Sequence, residues 1–274
     1  MIRAVVGAIL GVAALGAWAA EPVAFVADVK GSANIEGDGK VNFLAELMAG
    51  TRLLLGTGAS VAVAYAATGA EFSFAGPGEF TVTENEVRAD RGAKPTRKVV
   101  QALSSNGVVT VAASAAAASV RMRGVSVEAP APKTRLEYPL DTGVATLQPV
   151  LRWKGEPEPK GYDVVVQEDG GKTAWKATTP KPGVKVGVKL APATSYAWRV
   201  NGSQGPVGEG HFETLSAAAI AMVQHSQAAA KTFSDRVMHA FLLQDVGASQ
   251  EAKEAWGALA RERPEIPELA ALSR

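Results

Sequence analysis

The 274-residue chain has no cysteine, three histidines and a formal charge of only +1. Without cysteine there is no disulfide, no thiolate metal site and no cysteine nucleophile. Three histidines leave little material for a histidine-rich metal cage. Twenty-eight Lys and Arg against 27 Asp and Glu give none of the basic excess of a dedicated nucleic-acid binder. Beyond residue 20 no stretch is apolar enough to span a bilayer. The chain also lacks a G-x-S-x-G elbow, a P-loop, a G-x-G-x-x-G turn, an H-E-x-x-H pair and an EF-hand loop, so no catalytic, cofactor-binding or metal-ligating residue is assigned. What is present is 47% hydrophobic and 20% charged residues, a balance that excludes wholesale disorder. The length fits two domains or three small ones.

Arg3 is the only charge before Glu21, and an uninterrupted Ala-, Gly-, Val- and Leu-rich run follows it from Ala4 to Ala19. The run closes on Ala17-Trp18-Ala19, a small-x-small pattern. A charged start, an apolar run and a small-residue site read as a secretory signal peptide over residues 1–20, cleaved near Ala19–Ala20. The uncleaved anchor is the alternative. The mature chain is therefore expected outside the cytoplasm, in the periplasm or associated with the cell envelope.

Residues 21–129 carry a period of two. Val61, Val63 and Tyr65 alternate with small residues; Phe72 and Phe74 follow a Thr68-Gly69 turn; Phe80 and Val82 follow Gly76-Pro77-Gly78. Such alternation, broken by Gly and Pro, predicts half-buried antiparallel strands. Asp38-Gly39 is predicted as a hairpin turn between Ile35 and Val41. A second β-like part carries Val108, Val109, Val111, Val120, Met122, Val125 and Val127, with the run Ala112 to Ala118 as a loop or small strand between them. The strings at residues 26–36 and 47–74, with Gly31, Gly50 and Leu53, Thr57-Gly58-Ala59 and Gly69, resemble the FecR-type domain. That resemblance implies an extracytoplasmic, non-catalytic β domain and, in its best-known members, a relay from an outer-membrane transporter to a sigma factor.

Pro130, Pro132 and Pro139 mark a junction, because proline stiffens a linker and cannot donate to a sheet ladder. Over residues 130–215 four alternating runs follow: Leu151/Trp153, Tyr162/Val164/Val166, Val184/Val186/Val188 and Tyr196/Trp198/Val200, with Phe212 closing the set. Strands at this spacing without helices predict a β-sandwich. Leu190-Ala-Pro-Ala-Thr-Ser-Tyr196 resembles the fibronectin type III signature L-x-P-x-T-x-Y, and Trp153 and Tyr162 match that family's early core aromatics. The resemblance implies a binding or spacer module in which the Tyr196 hydroxyl bonds back to the backbone as a tyrosine corner. Trp175 and Trp198 are candidates for stacking on sugars, with core packing the commoner role of such residues.

From Ser216 to the end, residues 216–274, the period becomes helical. Ser216 is an N-cap, Ile220, Val223, Phe233, Val237 and Phe241 mark the apolar face, and Gly247 suits a left-handed C-terminal cap. Ser249 is expected to cap a second helix that ends at Pro264, and a short piece after Pro267 carries Leu269 and Leu272. Gly247, Ala252, Trp256 and Pro264 resemble the second half of a tetratricopeptide unit. One such unit cannot bury both faces, so it must dock on a partner, on a second copy or on the chain's own β modules. His225 and His239, if on one helix, stand ~21 Å apart, too far to share a metal.

The fold class expected is thus mainly β: two antiparallel β modules plus a C-terminal helical hairpin. Five cations, Arg88, Arg91, Lys94, Arg97 and Lys98, cluster with only Glu86 and Asp90 among them. With Trp175 they form the candidate binding surface, suited to an anionic envelope polymer or headgroup; a solvated loop is the alternative. Glu84 and Glu86 are read as solvated turn carboxylates. Together these features predict an exported, non-catalytic binding or scaffold protein of the envelope, with a protein or glycan partner and no nucleic acid. A part in envelope signalling beside a separate membrane partner is the alternative.

Overall fold

The computed structural model describes residues 21–65, 67–99 and 135–274. The signal-peptide segment, the strands expected over 108–127, the Ala112–Ala118 run, Pro130 and Pro132 lie outside the described residues. The described chain is mainly β, with several antiparallel sheets followed by a C-terminal helical segment. Among the described residues no helix is long and apolar enough to cross a membrane.

The first β unit pairs two five-stranded sheets. One holds β1 (Ala24–Lys30), β4 (Glu46–Leu47), β6 (Ser60–Tyr65), β7 (Ala70–Ala75) and β10 (Thr96–Val99) in the order β10-β7-β6-β1-β4. The other holds β2 (Ala33–Ile35), β3 (Gly39–Lys40), β5 (Arg52–Leu55), β8 (Gly78–Val82) and β9 (Val87–Arg91) in the order β3-β2-β5-β8-β9. Val26, Val61, Val63, Tyr65, Phe72, Phe74, Leu53 and Phe80 fill the space between them. Gly31 makes the corner from β1 to β2 at φ +73°, where a Cβ would stand 2.9 Å from the Cα of Ala59; both the angle and the approach require glycine. The predicted hairpin joins β2 to β3: Ile35 pairs with Gly39 across Glu36-Gly37-Asp38, and both Gly39, at φ 93°, and Gly37, at φ 84°, take the positive φ the turn needs.

The second β unit has a three-stranded sheet of β11 (Leu136–Tyr138), β13 (Val150–Trp153) and β16 (Gly183–Lys185). It faces a five-stranded sheet of β12 (Thr142–Val144), β14 (Tyr162–Glu168), β15 (Thr173–Thr179), β17 (Thr194–Gly202) and β18 (Gly205–Thr214), ordered β12-β18-β17-β14-β15. Aromatics hold it together: Trp153 meets Tyr162 edge-on at 5.2 Å and Tyr196 stacks on Phe212 at 5.4 Å. At the corner before β17 the Ala191 N–H donates to the Tyr196 hydroxyl at 2.9 Å, the backbone bond expected of that tyrosine.

Four helices follow: α1 (Ala217–Ala229), α2 (Phe233–Asp245), α3 (Ser249–Glu262) and α4 (Pro267–Leu272). Ser216 caps α1 by accepting from the Ala219 N–H at 3.2 Å. A capping box starts α2: Asp235 N donates to Thr232 Oγ1 at 3.2 Å and Thr232 N to Asp235 Oδ2 at 2.9 Å. That break puts His225 and His239 on different helices. Gly247 turns the chain at φ 84°. Ser249 is not the cap of α3. Ala248 holds that position without a side-chain bond, and Thr142 Oγ1 of β12 accepts the Gln250 N–H at 3.3 Å in its place.

The helices dock on the chain's own β units. The outer face of the first sheet, Phe25, Ala27, Ala62 and Ala64, shares one core with Val237, Phe241, Trp256 and Leu259, and this core also takes in Ala145 and Leu215 of the second unit. The small residues that alternate with Val61 and Val63 are therefore covered rather than open to solvent, and β1 and β6 are buried on both faces. Alanine there lets α2 approach the sheet. Phe241 meets Phe25 at 6.1 Å and Trp256 at 4.9 Å, both edge-on.

Trp256 is fully buried but its indole N–H has no partner among the described residues. Trp256→Ala is expected to cost about 3–5 kcal/mol in denaturant unfolding. Trp256→Phe keeps most of the ring and removes the unpaired donor, so it costs clearly less; equal losses for the two would contradict the packing described. Tyr196→Phe leaves the Ala191 N–H unpaired and is expected to cost about 1–3 kcal/mol.

Candidate functional site

The five clustered cations do not share one surface role. Arg88 and Arg91 lie on β9, while Arg97 and Lys98 lie on β10, an edge strand of the other sheet. Arg88 pairs with Glu86 at 3.0 Å and Arg91 with Glu79 at 3.1 Å, both at exposed positions. Lys94 and Arg97 are exposed. Glu86 is thus engaged with Arg88, and its backbone carbonyl accepts from the Tyr65 hydroxyl at 2.6 Å. Burial, with the neighbouring Glu86 charge adding to it, leaves Tyr65 pushed up to about 12.

Lys98 leaves the patch. It stands opposite Glu71 of β7 in the sheet register and reaches Glu71 at 3.0 Å, Asp235 of α2 at 2.8 Å and Thr232 Oγ1 at 3.1 Å. Glu71 is completely buried because α2 lies over that face of the sheet. Its Oε1 also accepts from Ser234 at 3.0 Å, and its Oε2 has no partner among the described residues. Burial works against the charge on Lys98, but its bonds to Asp235 and Glu71 outweigh that and hold its ammonium above the ordinary lysine range. Burial likewise opposes the charge on Asp235, yet Lys98 and the Thr232 bonds hold its carboxyl below the usual range. A second ion pair ties α3 to the same sheet: Arg263 reaches Asp28 at 3.0 Å and the Val29 carbonyl at 3.0 Å.

Of the two tryptophan candidates, Trp198 is in the core. It is 1% exposed and its indole N–H donates to the Pro139 carbonyl at 2.9 Å, so it takes the packing role and not the sugar-stacking one. Trp175 is half-buried on the edge strand β15 and packs against the second core beside Gly187, where a Cβ would stand 3.2 Å from its indole nitrogen. It retains a partly exposed ring.

The first turn of α3 plugs into the second β unit. Gln250 Oε1 accepts from the Leu140 N–H at 2.7 Å and its amide donates to the Glu137 carbonyl at 3.0 Å. Glu251 Oε1 takes the Tyr138 hydroxyl and the Ala145 N–H. Burial raises the Glu251 carboxyl above the ordinary glutamate range despite those two donors, with the Glu254 charge adding to it. Burial and then the Glu251 charge lift the Tyr138 hydroxyl far above its usual value. Arg152 lies over the Tyr138 ring at 4.8 Å and pairs with Glu254.

Beside this seam lies a half-open cleft of ≈ 690 Å³, walled by Gln224 and Gln227 of α1, Arg236 and His239 of α2, and Glu251 and Glu254 of α3. Arg236 pairs with Glu262 through both carboxylate oxygens at 2.6 and 2.7 Å. His239 stands 3.2 Å from Ser226 Oγ, and burial holds its imidazole below the usual range. Among the described residues no three His, Asp or Glu side chains converge to hold a metal ion. The cleft was not readable from sequence, because its walls come from three helices whose relative placement is set by the β units.

No protein-family model matches the chain, and no curated protein matches it. Among solved structures, CopC from Methylosinus trichosporium OB3b is 22% identical over 29% of this chain and 87% of that chain, with a TM-score of 0.23. A likeness of that size carries no argument about function.

Lys98→Met strands Glu71 as a buried carboxylate without its cation. The expected loss is about 2–3 kcal/mol, below the ~3–5 kcal/mol of a fully buried pair because Lys98 is 35% exposed. Adding Glu71→Gln to that variant should restore most of the loss in a double-mutant cycle; no recovery would mean that the pair is not coupled. Asp235 has a lowered folded value, so its contribution is present above its reference of 3.8 and disappears as pH falls through the folded value. Asp235→Asn should show a shallower stability loss in that acid range than wild type.

Proposed function

We propose that this chain is an exported, non-catalytic protein of the cell envelope that holds a partner on a rigid two-module body. What supports the reading is where the long-range charged contacts lie: the Lys98–Asp235 and Arg263–Asp28 ion pairs and the Glu251–Tyr138 hydrogen bond all sit in seams that join helices to β units. These groups serve assembly. Of the candidate surface groups, Trp175 keeps a partly exposed ring and Arg88, Arg91, Lys94 and Arg97 are exposed, Arg88 and Arg91 within ion pairs to Glu86 and Glu79. A flat aromatic and a set of cations are the chemistry that meets an anionic glycan or an acidic protein surface, not the paired acid and base of a hydrolase. The FecR-like and fibronectin III-like sequence features agree with extracytoplasmic binding modules, and the leader-like first twenty residues supply the route out.

The test combines fractionation of the native host with sedimentation on purified peptidoglycan. The mature protein is expected in the periplasmic fraction with its N-terminus near residue 20. It should pellet with the polymer, and reversing Arg88, Arg91, Lys94 and Arg97 to Glu together should reduce the pelleted fraction several-fold. Recovery from the cytosol with the first twenty residues intact would overturn export, and a pelleted fraction unchanged by the reversal would remove the assigned surface.

A further inference from the structure

The cleft beside the α3 seam has the size of a small-molecule site. Its ≈ 690 Å³ fall within the roughly 300–1,000 Å³ of ligand pockets. Val223 of α1, Leu243 of α2 and Leu259 of α3 give it an apolar floor, with Ala145 of the second β unit beside them. Gln224 and Gln227, one turn apart on α1, stand exposed along one wall.

Its charges do not cancel. Arg236, Glu251, Glu254 and Glu262 are the charged side chains of the lining. Arg236 is held by both oxygens of Glu262, and Glu254 pairs with Arg152 of β13. Glu251 is left over. Its Oε1 accepts from the Tyr138 hydroxyl and the Ala145 N–H, which are neutral donors: they favour the carboxylate without balancing its charge. Among the described residues Oε2 has no hydrogen-bond partner and no cation pairs with Glu251. His239 does not fill the gap, because burial disfavours its imidazolium form. The cleft is therefore one positive charge short, over an apolar floor.

Those features select the occupant. An anion would meet the uncancelled carboxylate. A metal ion would need ligands that do not converge among the described residues. A sugar would want an aromatic platform, and the lining holds no Trp, Tyr or Phe. A quaternary ammonium brings no N–H to the open oxygen, whereas a primary ammonium brings three. We propose that this cleft binds a small organic monocation, a primary ammonium carried on an aliphatic stem, with the ammonium at Glu251 and the stem along Val223, Leu243 and Leu259. The site is distinct from the β9–β10 cations and opposite to them in charge, so it stands whether or not they hold a partner.

NMR titration of the methyl-labelled full chain with n-hexylammonium reads the site directly. The methyl resonances of Val223, Leu243 and Leu259 should shift to saturation, while Val63 and Leu53 of the first core stay in place. n-Hexanol keeps the stem without the charge, and methylammonium keeps the charge without the stem; each should bind at least about tenfold more weakly. Glu251→Gln keeps an acceptor for Tyr138 and Ala145 but removes the charge, and should weaken n-hexylammonium about tenfold, with unmoved Val63 and Leu53 resonances showing an intact fold. In wild type, n-hexanol binding as tightly as n-hexylammonium, or the absence of a saturable shift at the three floor residues, would overturn the proposal regardless of how the variant folds. So would a folded Glu251→Gln chain that binds as wild type. Tighter binding of N-acetyl-lysine methylamide than of n-hexylammonium would replace the small molecule with a lysine-bearing peptide and overturn it too.

Discussion

The outer face of the first sheet is the constraint on which the rest depends. A two-sheet sandwich closes its own core and normally leaves its outer faces to water. Here the outer face carries Phe25, Ala27, Ala62 and Ala64, all apolar, and solvating it would forfeit the burial of that face. Covering that face needs a helix layer, and α2 supplies it with Val237, Met238 and Phe241. Once α2 is seated, Glu71 is sealed from solvent and must have Lys98. The charge network follows from the hydrophobic one.

The helices in turn set where the second β unit lies. The turn at Gly247 and the start of α3 have backbone groups of their own to satisfy, and they find partners on β12: the Gly247 carbonyl accepts from Gly143, and the uncapped α3 takes Thr142. A helix that borrows its cap from another unit is well formed only when that unit is in place. Two bodies that each have a complete core are thereby placed in a fixed relation by an element that belongs to neither.

Much of this was legible in the residues, and the illegible part has a common cause. The alternation through Val61, Val63 and Tyr65, the aromatic runs to Tyr196 and Trp198, and the Gly247 turn are local patterns, and each forms the element its period predicts. The hydrogen bond from the Ala191 N–H to the Tyr196 hydroxyl was readable because donor and acceptor lie five residues apart. What sequence could not reveal depends on neighbours far along the chain. Glu71 sits on the face of β7 that alternation assigns to water, and it is buried only because α2 arrives from more than 160 residues away. Lys98 looked like one more surface cation for the same reason. Ser249 was the better cap by residue type, but Thr142 took that role from another module. The Thr232-x-x-Asp235 box was a local signal for the break between α1 and α2, and it explains why the two histidines are not on one helix.

The absence of cysteine makes the account directly measurable, since single cysteines can be placed at will. Spin labels at Lys40→Cys on β3 and Lys172→Cys at the mouth of β15, both exposed, report the distance between the two β units by pulsed electron resonance. With the helices seated, the distance distribution should be single and narrow, and adding Trp256→Ala should broaden it as the shared core loosens. A distribution that is already broad in the otherwise native chain, or one that stays narrow in the Trp256→Ala background, would contradict the claim that the helical layer fixes the two units.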